Sequence, residues 1–439
     1  MNNTSRYRIP NFLSFIYWLS YLISTLIYPD PRICADTLQA GVARIDITPE
    51  KPVTLAGYGA RKGLSQGVHD PLSARVVIWK YQSKRLVLVS TDLIGFYNGS
   101  AEYLRKAIQQ ECKLKPSELF LSAIHTHSGP GLCIDKDKYH TNNWEYTQTV
   151  KDKLLQVIRQ ASENISPVQL GTGVGYSPVG VNRRQTKNDG IGRESVGYIT
   201  LGRNPYGPTD KEVLVLTLAK LNGTTKAVLF DYATHSTSLG GRNYIISGDV
   251  LGLAEQFVEK ILGNDIIAPA FAGASGDIDP WFRVLPKLND EPGWIPEPVL
   301  LGTLLGEEVV HVYRNIKKLT PGGEIRSSFI TLELPGKPKN EVSVPENVPK
   351  TPLAITVARL GDVAFVGLGA EVLTEIGMAI KQASPCEHTF IITHCNGAAG
   401  YLPLAKYYQE GGYEIRSSPF APQAAELVIK QVLNMLYLL

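Results

Sequence analysis

The sequence contains no HExxH motif, no Walker A loop and no GxGxxG fingerprint. Their absence removes a helical zincin site, a phosphate-cradling loop and Rossmann-type dinucleotide chemistry from the available readings. No cluster of five or more Lys/Arg occurs and the formal net charge is only +3, so nucleic-acid binding has no electrostatic basis. No solenoid period or low-complexity tract is visible, which excludes a repeat array. Cysteine is scarce, with five residues: Cys34, Cys112, Cys133, Cys386 and Cys395.

What is present is ordinary for a soluble globular chain, with 44% hydrophobic and 19% charged residues over 439 positions. That length suits one large α/β domain or two smaller ones. The N-terminus departs from this composition. Arg6 and Arg8 precede an uncharged run of seventeen residues, Phe12 to Tyr28, which as a helix would span about 26 Å. The run is slightly short for a membrane span and slightly long for a signal-peptide core. Ile33-Cys34-Ala35 offers a cleavage site, so residues 1–35 are expected to be a signal peptide or a retained signal anchor, and the protein to be secreted or membrane-anchored. Cleavage there would leave four cysteines, an even number that suits an oxidising compartment and allows three pairings. Sequons at Asn98, Asn164 and Asn222 would carry glycans only in a eukaryotic secretory pathway.

Four apolar runs end in chemistry-bearing residues. ELFLSAIHTHSGPG empties into His125 and His127, and KAVLFDYATHSTS into His235. The run up to Phe271 leads to Asp277 and Asp279, and FIITHCNG carries His394. Residues i and i+2 of an extended segment point the same way, which would face His125 and His127 together. Val363 to Leu368 leads to Glu371, read as opening an amphipathic helix. Functional groups of open α/β sheets collect beyond the carboxyl ends of strands. The expected fold is therefore α/β, with layered mixed β-sheets flanked by helices, one large catalytic domain over residues 36–439, and a site at the strand C-terminal ends.

Paired strands are predicted at Arg75–Trp79 with Leu86–Ser90 and at Val213–Leu221 with Lys226–Tyr232. Helices are predicted near Ala101–Cys112, Trp144–Glu163, from Ser247 onward and over Gln423–Leu439. The Gly-rich stretch from Gly171 to Gly197, with Asn182, Arg183 and Arg184, reads as a loop. Asp290–Pro298 and Pro335–Pro352 read as exposed loops or a hinge. Asp92 and Asp277 read as turn formers or outer partners. His140, His311 and His388 read as surface or packing groups.

Two or three His with one carboxylate form the ligand set of a hydrolytic zinc site. Spacing does not say which of His125, His127, His235 and His394 bind metal. GVARIDITP, QGVHDPLSAR, AIHTHSGPG, VNRR, ATHSTS with SGDVLGLA, GASGDIDP, GAEVLTEIG and NGAAGYLPLAKYYQEGGYE together resemble the neutral/alkaline non-lysosomal ceramidases, a family of zinc amidases, in that family's order from Gly41 to Glu414. The resemblance implies one Zn2+ per chain, held by His125, His235, Glu371 and Tyr401. It implies that His127, Arg183 and Tyr413 bind the scissile amide and its tetrahedral intermediate.

Two departures from the family pattern stand out. Asp279 occupies the position of a family serine, and a carboxylate cannot replace a hydroxyl donor. Water is then expected to attack directly, with Asp279 acting as a base or shaping a different pocket. The second expected departure is that the family's C-terminal β-domain is absent. The expected activity is hydrolysis of the N-acyl amide of ceramide or a related lipid, with a lipid-like small molecule as partner and association with a membrane surface. A zinc hydrolase of another amide or ester is the alternative, and a catalytically silent lipid- or glycan-binding protein the third reading.

Overall fold

The computed structural model describes residues 37–137, 140–187, 197–263, 265–281, 297–337 and 349–439. Strands are numbered in chain order. An eight-stranded sheet runs β12 (Ala270–Ala272), β10 (Thr225–Tyr232), β9 (Glu212–Lys220), β6 (Ser166–Tyr176), β1 (Gln39–Asp46), β3 (Ser73–Tyr81), β4 (Lys84–Thr91) and β5 (Leu119–Ala123). A four-stranded sheet runs β14 (Ile325–Pro335), β15 (Lys350–Leu360), β16 (Val363–Leu368) and β18 (His388–Ile392). Three small sheets complete the set. They are β2 (Gly67–Val68) with β11 (Ile245–Ile246), β13 (Ile278–Pro280) with β7 (Gly180–Lys187) and β8 (Tyr198–Asn204), and β17 (Glu371–Val372) with β19 (Tyr401–Leu402).

Alternation along the strands builds the layers. In β3 and β4, Val76, Ile78, Val87 and Val89 pack with helices α1 (Ser100–Cys112) and α2 (Thr141–Glu163). The intervening Val77, Trp79, Leu86 and Leu88 meet Ala358, Phe365 and Phe390 of the four-stranded sheet. Val213, Val215, Val228 and Phe230 pack under α3 (Asp249–Leu262) and α4 (Glu297–Asn315). On the far side, Ala364, Val366 and Ile391 pack against α5 (Thr374–Ala383) and the C-terminal helix. The result is helix, sheet, sheet, helix, with strands buried on both faces. Short helices α6 (Tyr407–Glu410) and α7 (Tyr413–Ser417) precede α8 (Ala424–Leu438).

The expected strand pairs and helices are in place, with Trp79 opposite Leu86 and Leu216 opposite Leu229. His140 caps α2, its side chain accepting from the Asn142 amide. Three expectations need correction. Asn182, Arg183 and Arg184 lie in β7, paired with β8 and β13, and not in a loop. Glu371 lies in the two-residue β17, and the helix begins three residues later at Thr374. Cys112, Cys133, Cys386 and Cys395 are all free thiols, so no disulfide forms among the described cysteines. Residues 12–28 and most of the two Pro-rich stretches lie outside the described residues. Among the described residues no helix is long and apolar enough to cross a membrane.

Phe365 is the centre of the contact between the two large sheets. It is fully buried, with ring centroids 5.6 Å from Trp79, 6.5 Å from Phe120 and 5.2 Å from Phe390. Truncating such a ring removes its transfer energy and leaves a cavity. Phe365→Ala should cost about 3–5 kcal/mol, read as a fall in the urea midpoint. An unchanged midpoint would mean that the sheets do not depend on this packing.

Candidate metal centre

The large sheet curls until its two ends meet. Ser90 Oγ donates to Ala270 O at 2.6 Å, and beyond the strand ends Thr126 forms a parallel bridge with Ser236. The His127 amide donates to Ser236 O at 3.0 Å, and the His235 amide to Ile278 O at 2.9 Å. Histidines 110 residues apart in sequence are thereby neighbours. One nitrogen from each of His125, His127 and His235 lies within a 4.8 Å group.

The convergence of His125 and His127 does not come from strand alternation. β5 ends at Ala123, and His125 has φ 60°. This left-handed conformation is open to His, Asn and Asp more than to most residues, and a single such residue re-aims its side chain. The two Nε2 atoms come within 3.2 Å. Gly57 covers the other side of His127, where a Cβ would sit 2.4 Å from Nδ1, so only glycine fits that approach. Arg61 fixes this loop by donating to Ala56 O, His127 O and Gly240 O at 2.9, 2.5 and 3.0 Å.

Carbonyl partners settle the tautomers of two imidazoles. His125 Nδ1 is 2.6 Å from Ile94 O, and His235 Nδ1 is 2.7 Å from Ser275 O. A carbonyl can only accept, so Nδ1 carries the proton and each Nε2 presents a lone pair. Both lone pairs face Glu371 Oε2, at 3.5 Å from His125 and 3.6 Å from His235. Oε2 is buried and has no hydrogen-bond partner. His127 Nε2 stands 3.2 Å from His125 Nε2 and Arg183 Nη1 3.3 Å from His235 Nε2, whereas the buried Oε2 has no such neighbour, an arrangement that is costly for a carboxylate unless a cation sits beside it. This donor set of two imidazoles and a carboxylate fits zinc.

The pairing of β17 with β19 sets Glu371 directly opposite Tyr401. Burial pushes His127 and His394 well below the ordinary histidine value and lowers His235, with Arg183 adding to the effect on His235. His394 (φ 51°) stacks on His125, with centroids 3.8 Å apart and planes at 11°. Burial also raises the Tyr401 phenol well above its usual value, against the pull of Arg183.

Arg183 is committed to protein partners. Nε donates to Glu414 Oε1 at 2.9 Å, Nη1 to Asp279 Oδ1 at 3.1 Å, and Nη2 to Gly276 O at 2.7 Å and Tyr401 OH at 3.1 Å. Nη1 also stands 3.3 Å from His235 Nε2. Arg184 donates to the other Glu414 oxygen at 2.9 Å. Asp277 ties these pieces together, accepting from the Thr374 amide and from Asn182 Nδ2, and burial pushes its carboxyl up to about 6.

A cleft of about 470 Å³ opens over this centre. Its walls include Tyr58, Tyr97, His125, His127, Glu371, Tyr401 and Tyr413, whereas His235, Arg183 and Asp279 stand behind them. Tyr413 begins α7 at 39% exposure, its ring 5.5 Å from that of Tyr401. His69 pairs with Asp70 at 2.7 Å and is not part of these walls. Asp92 pairs with the buried Arg75 and accepts the Ser73 amide, a structural role. The stretch GLSQG at Gly63–Gly67 fits the outline of a hydrolase nucleophile elbow, but it lies in no strand-to-helix turn and its Ser65 Oγ accepts the Val53 amide. Tyr97, Glu414 and the Ile94 carbonyl were not singled out from sequence. Tyr97 carries the same signal as the histidines, a polar group just beyond a strand end.

Fold and site together define a mixed α/β protein with a buried histidine–carboxylate centre at strand ends. The description "Neutral/alkaline non-lysosomal ceramidase, N-terminal" matches residues 38–281, and the chain belongs to that family. It is 26% identical over 236 residues to neutral ceramidase 1 of Arabidopsis thaliana, covering 50% of this chain and 28% of that one. It is 24% identical over 412 residues to the neutral ceramidase of Oryza sativa subsp. japonica, covering 89% and 48%. In both cases the chain spans less than half of the relative. The crystal structure of neutral ceramidase from Pseudomonas aeruginosa has the same fold, with a TM-score of 0.74 at 19% identity over 91% of this chain and 74% of that one. A ceramidase complexed with C2 superposes with a TM-score of 0.70 at 20% identity, covering 91% and 74%.

The Asp279–Arg183 pair is testable by itself. Asp279→Asn keeps the shape and removes the charge, and should cost about 1.5–3 kcal/mol, the range for hydrogen bonds to charged groups. A urea midpoint equal to that of the parent would show that the pair adds nothing to folding.

Proposed function

We propose that the protein is a zinc-dependent amidohydrolase that cleaves the N-acyl amide bond of ceramide or a related lipid to a fatty acid and an amine. The observation that carries this reading is the unpartnered Glu371 Oε2 facing the lone pairs of His125 and His235 at the floor of a cleft. Family membership supports the amide as the bond acted on. The residues proposed to hold zinc are His125, His235, Glu371 and Tyr401. A bound zinc would polarise the amide carbonyl and lower the pKa of water to about 7.

The remaining chemistry falls to this chain's side chains. His127, kept neutral by burial, is the group to take a proton from the attacking water and pass it to the leaving amine. Tyr413, at the mouth of the cleft, is the donor for the oxygen that gains charge, a contribution that commonly amounts to a few kcal/mol. With its donors committed inside the protein, Arg183 acts by holding the Tyr401 hydroxyl and by placing positive charge behind the site. Asp279, in place of the family serine, is the counter-charge that keeps Arg183 there. A nucleophilic hydroxyl is then not needed, because water serves.

A second reading is a zinc hydrolase for a different amide or ester, favoured by the carboxylate at position 279. Export or membrane anchoring through residues 12–28 belongs to the same proposal, as does contact with a membrane surface that presents the lipid.

Zinc-loaded protein should hydrolyse a fluorogenic ceramide, and His235→Ala should lose zinc and turnover together, measured by metal analysis and product release. Full zinc content in His235→Ala would overturn the ligand assignment. Zinc binding with hydrolysis of another N-acyl amide or ester, and none of ceramide, would establish the second reading.

A further inference from the structure

We infer that the Tyr97 phenol is a positioning group for Glu371, occupying one carboxylate oxygen so that the other alone is presented to the metal; this rests on the zinc site proposed above. Tyr97 OH donates to Glu371 Oε1 at 3.3 Å, while Oε2 of the same carboxylate is the atom turned towards His125 and His235.

Tyr97 does not act alone. The segment from Ile94 to Gly99 joins β4 to α1, and its Ile94 carbonyl accepts from His125 Nδ1 at 2.6 Å. One connection therefore orients two of the four proposed ligands, His125 through a backbone oxygen and Glu371 through a phenol. The backbone is shaped for this. Gly95 has φ 142° and a Cβ there would meet the Tyr97 ring at 3.0 Å, while Asn98 (φ 53°) and Gly99 (φ 84°) turn the chain into α1. Partners that hydrogen-bond to metal ligands fix their orientation, and losing one commonly weakens metal binding by about 10- to 100-fold. A carboxylate with one oxygen occupied binds through the other, which suits four-coordinate zinc, whereas a freed carboxylate can swing or bind through both oxygens.

The test uses the full chain as parent, Tyr97→Phe and Tyr97→Leu. Zinc affinity is measured by competition with a chromophoric chelator, and the visible spectrum of the Co2+-substituted protein reports coordination number. Tyr97→Phe should bind zinc about 10- to 100-fold more weakly and change the intensity of the Co2+ bands, with thermal unfolding of the metal-free protein unchanged. Tyr97→Leu should match it. If Tyr97→Phe keeps the parent's affinity and spectrum, or if affinity falls only when the ring is also removed, the hydroxyl has no positioning role and the inference is wrong. A parent that binds no zinc overturns the site reading and this inference together.

Discussion

The parallel bridge between Thr126 and Ser236 is the contact on which the site depends. β5 and β12 are opposite edges of the eight-stranded sheet, and β10 lies next to β12. An open sheet would hold the segments that follow β5 and β10 far apart. Closure at Ser90–Ala270 and at this bridge gives unpaired edge groups their hydrogen bonds, the condition a buried backbone must meet. The imidazoles come together as a by-product of satisfying main-chain polarity. Positive φ at His125 then re-aims one ring without breaking the bridge beside it.

Charge is arranged around that centre so that no ion is buried alone. Arg183 and Arg184 share Glu414, and Asp279 takes the remaining side of Arg183. Sharing of this kind means that loss of one member leaves its neighbours partly compensated, as Arg183 would keep Glu414 without Asp279. Glu371 differs from these carboxylates. Its neighbours are imidazoles whose protons point away, towards carbonyls, and its Oε2 receives nothing. Glu414 has both oxygens paired with arginine, whereas Glu371 leaves one oxygen bare, and the proposed cation site rests on that difference.

Much of the fold was legible because the central strands are long, apolar and clearly punctuated. β3, β4, β9, β10 and the larger helices follow from alternation, helical spacing and turns. β7 was not legible. A strand that carries Asn182, Arg183 and Arg184 inward gives up the apolar alternation that marks strands, so its polarity reads as loop. β17 is two residues long, below any periodic signal, and the helix after it drew Glu371 into the wrong element. The histidines were visible as groups at strand ends. Which of them converge depended on sheet closure between residues about 110 positions apart, which no local pattern encodes. Tyr97 showed the same strand-end signal but lacked a chemistry that singled it out. The even cysteine count pointed to pairing, yet Cys395 and Cys386 are packed as small apolar groups in separate cores.

The cleft walls carry a further consequence of this construction. Tyr58, Tyr97, Tyr401 and Tyr413 line it together, each with an apolar ring body and a polar tip. Tyr97 and Tyr401 have their hydroxyls occupied by Glu371 and Arg183 at the floor, so what they offer a bound molecule is mainly ring surface. Tyr413 is part-exposed, and Asn98 also lines the cleft. The lining thus combines tyrosine ring faces with imidazole, carboxylate and the Arg61 guanidinium, which lies 4.8 Å over the Tyr58 ring. A lining of this kind favours a bound molecule that combines apolar surface with a polar group, which accords with the reading proposed above.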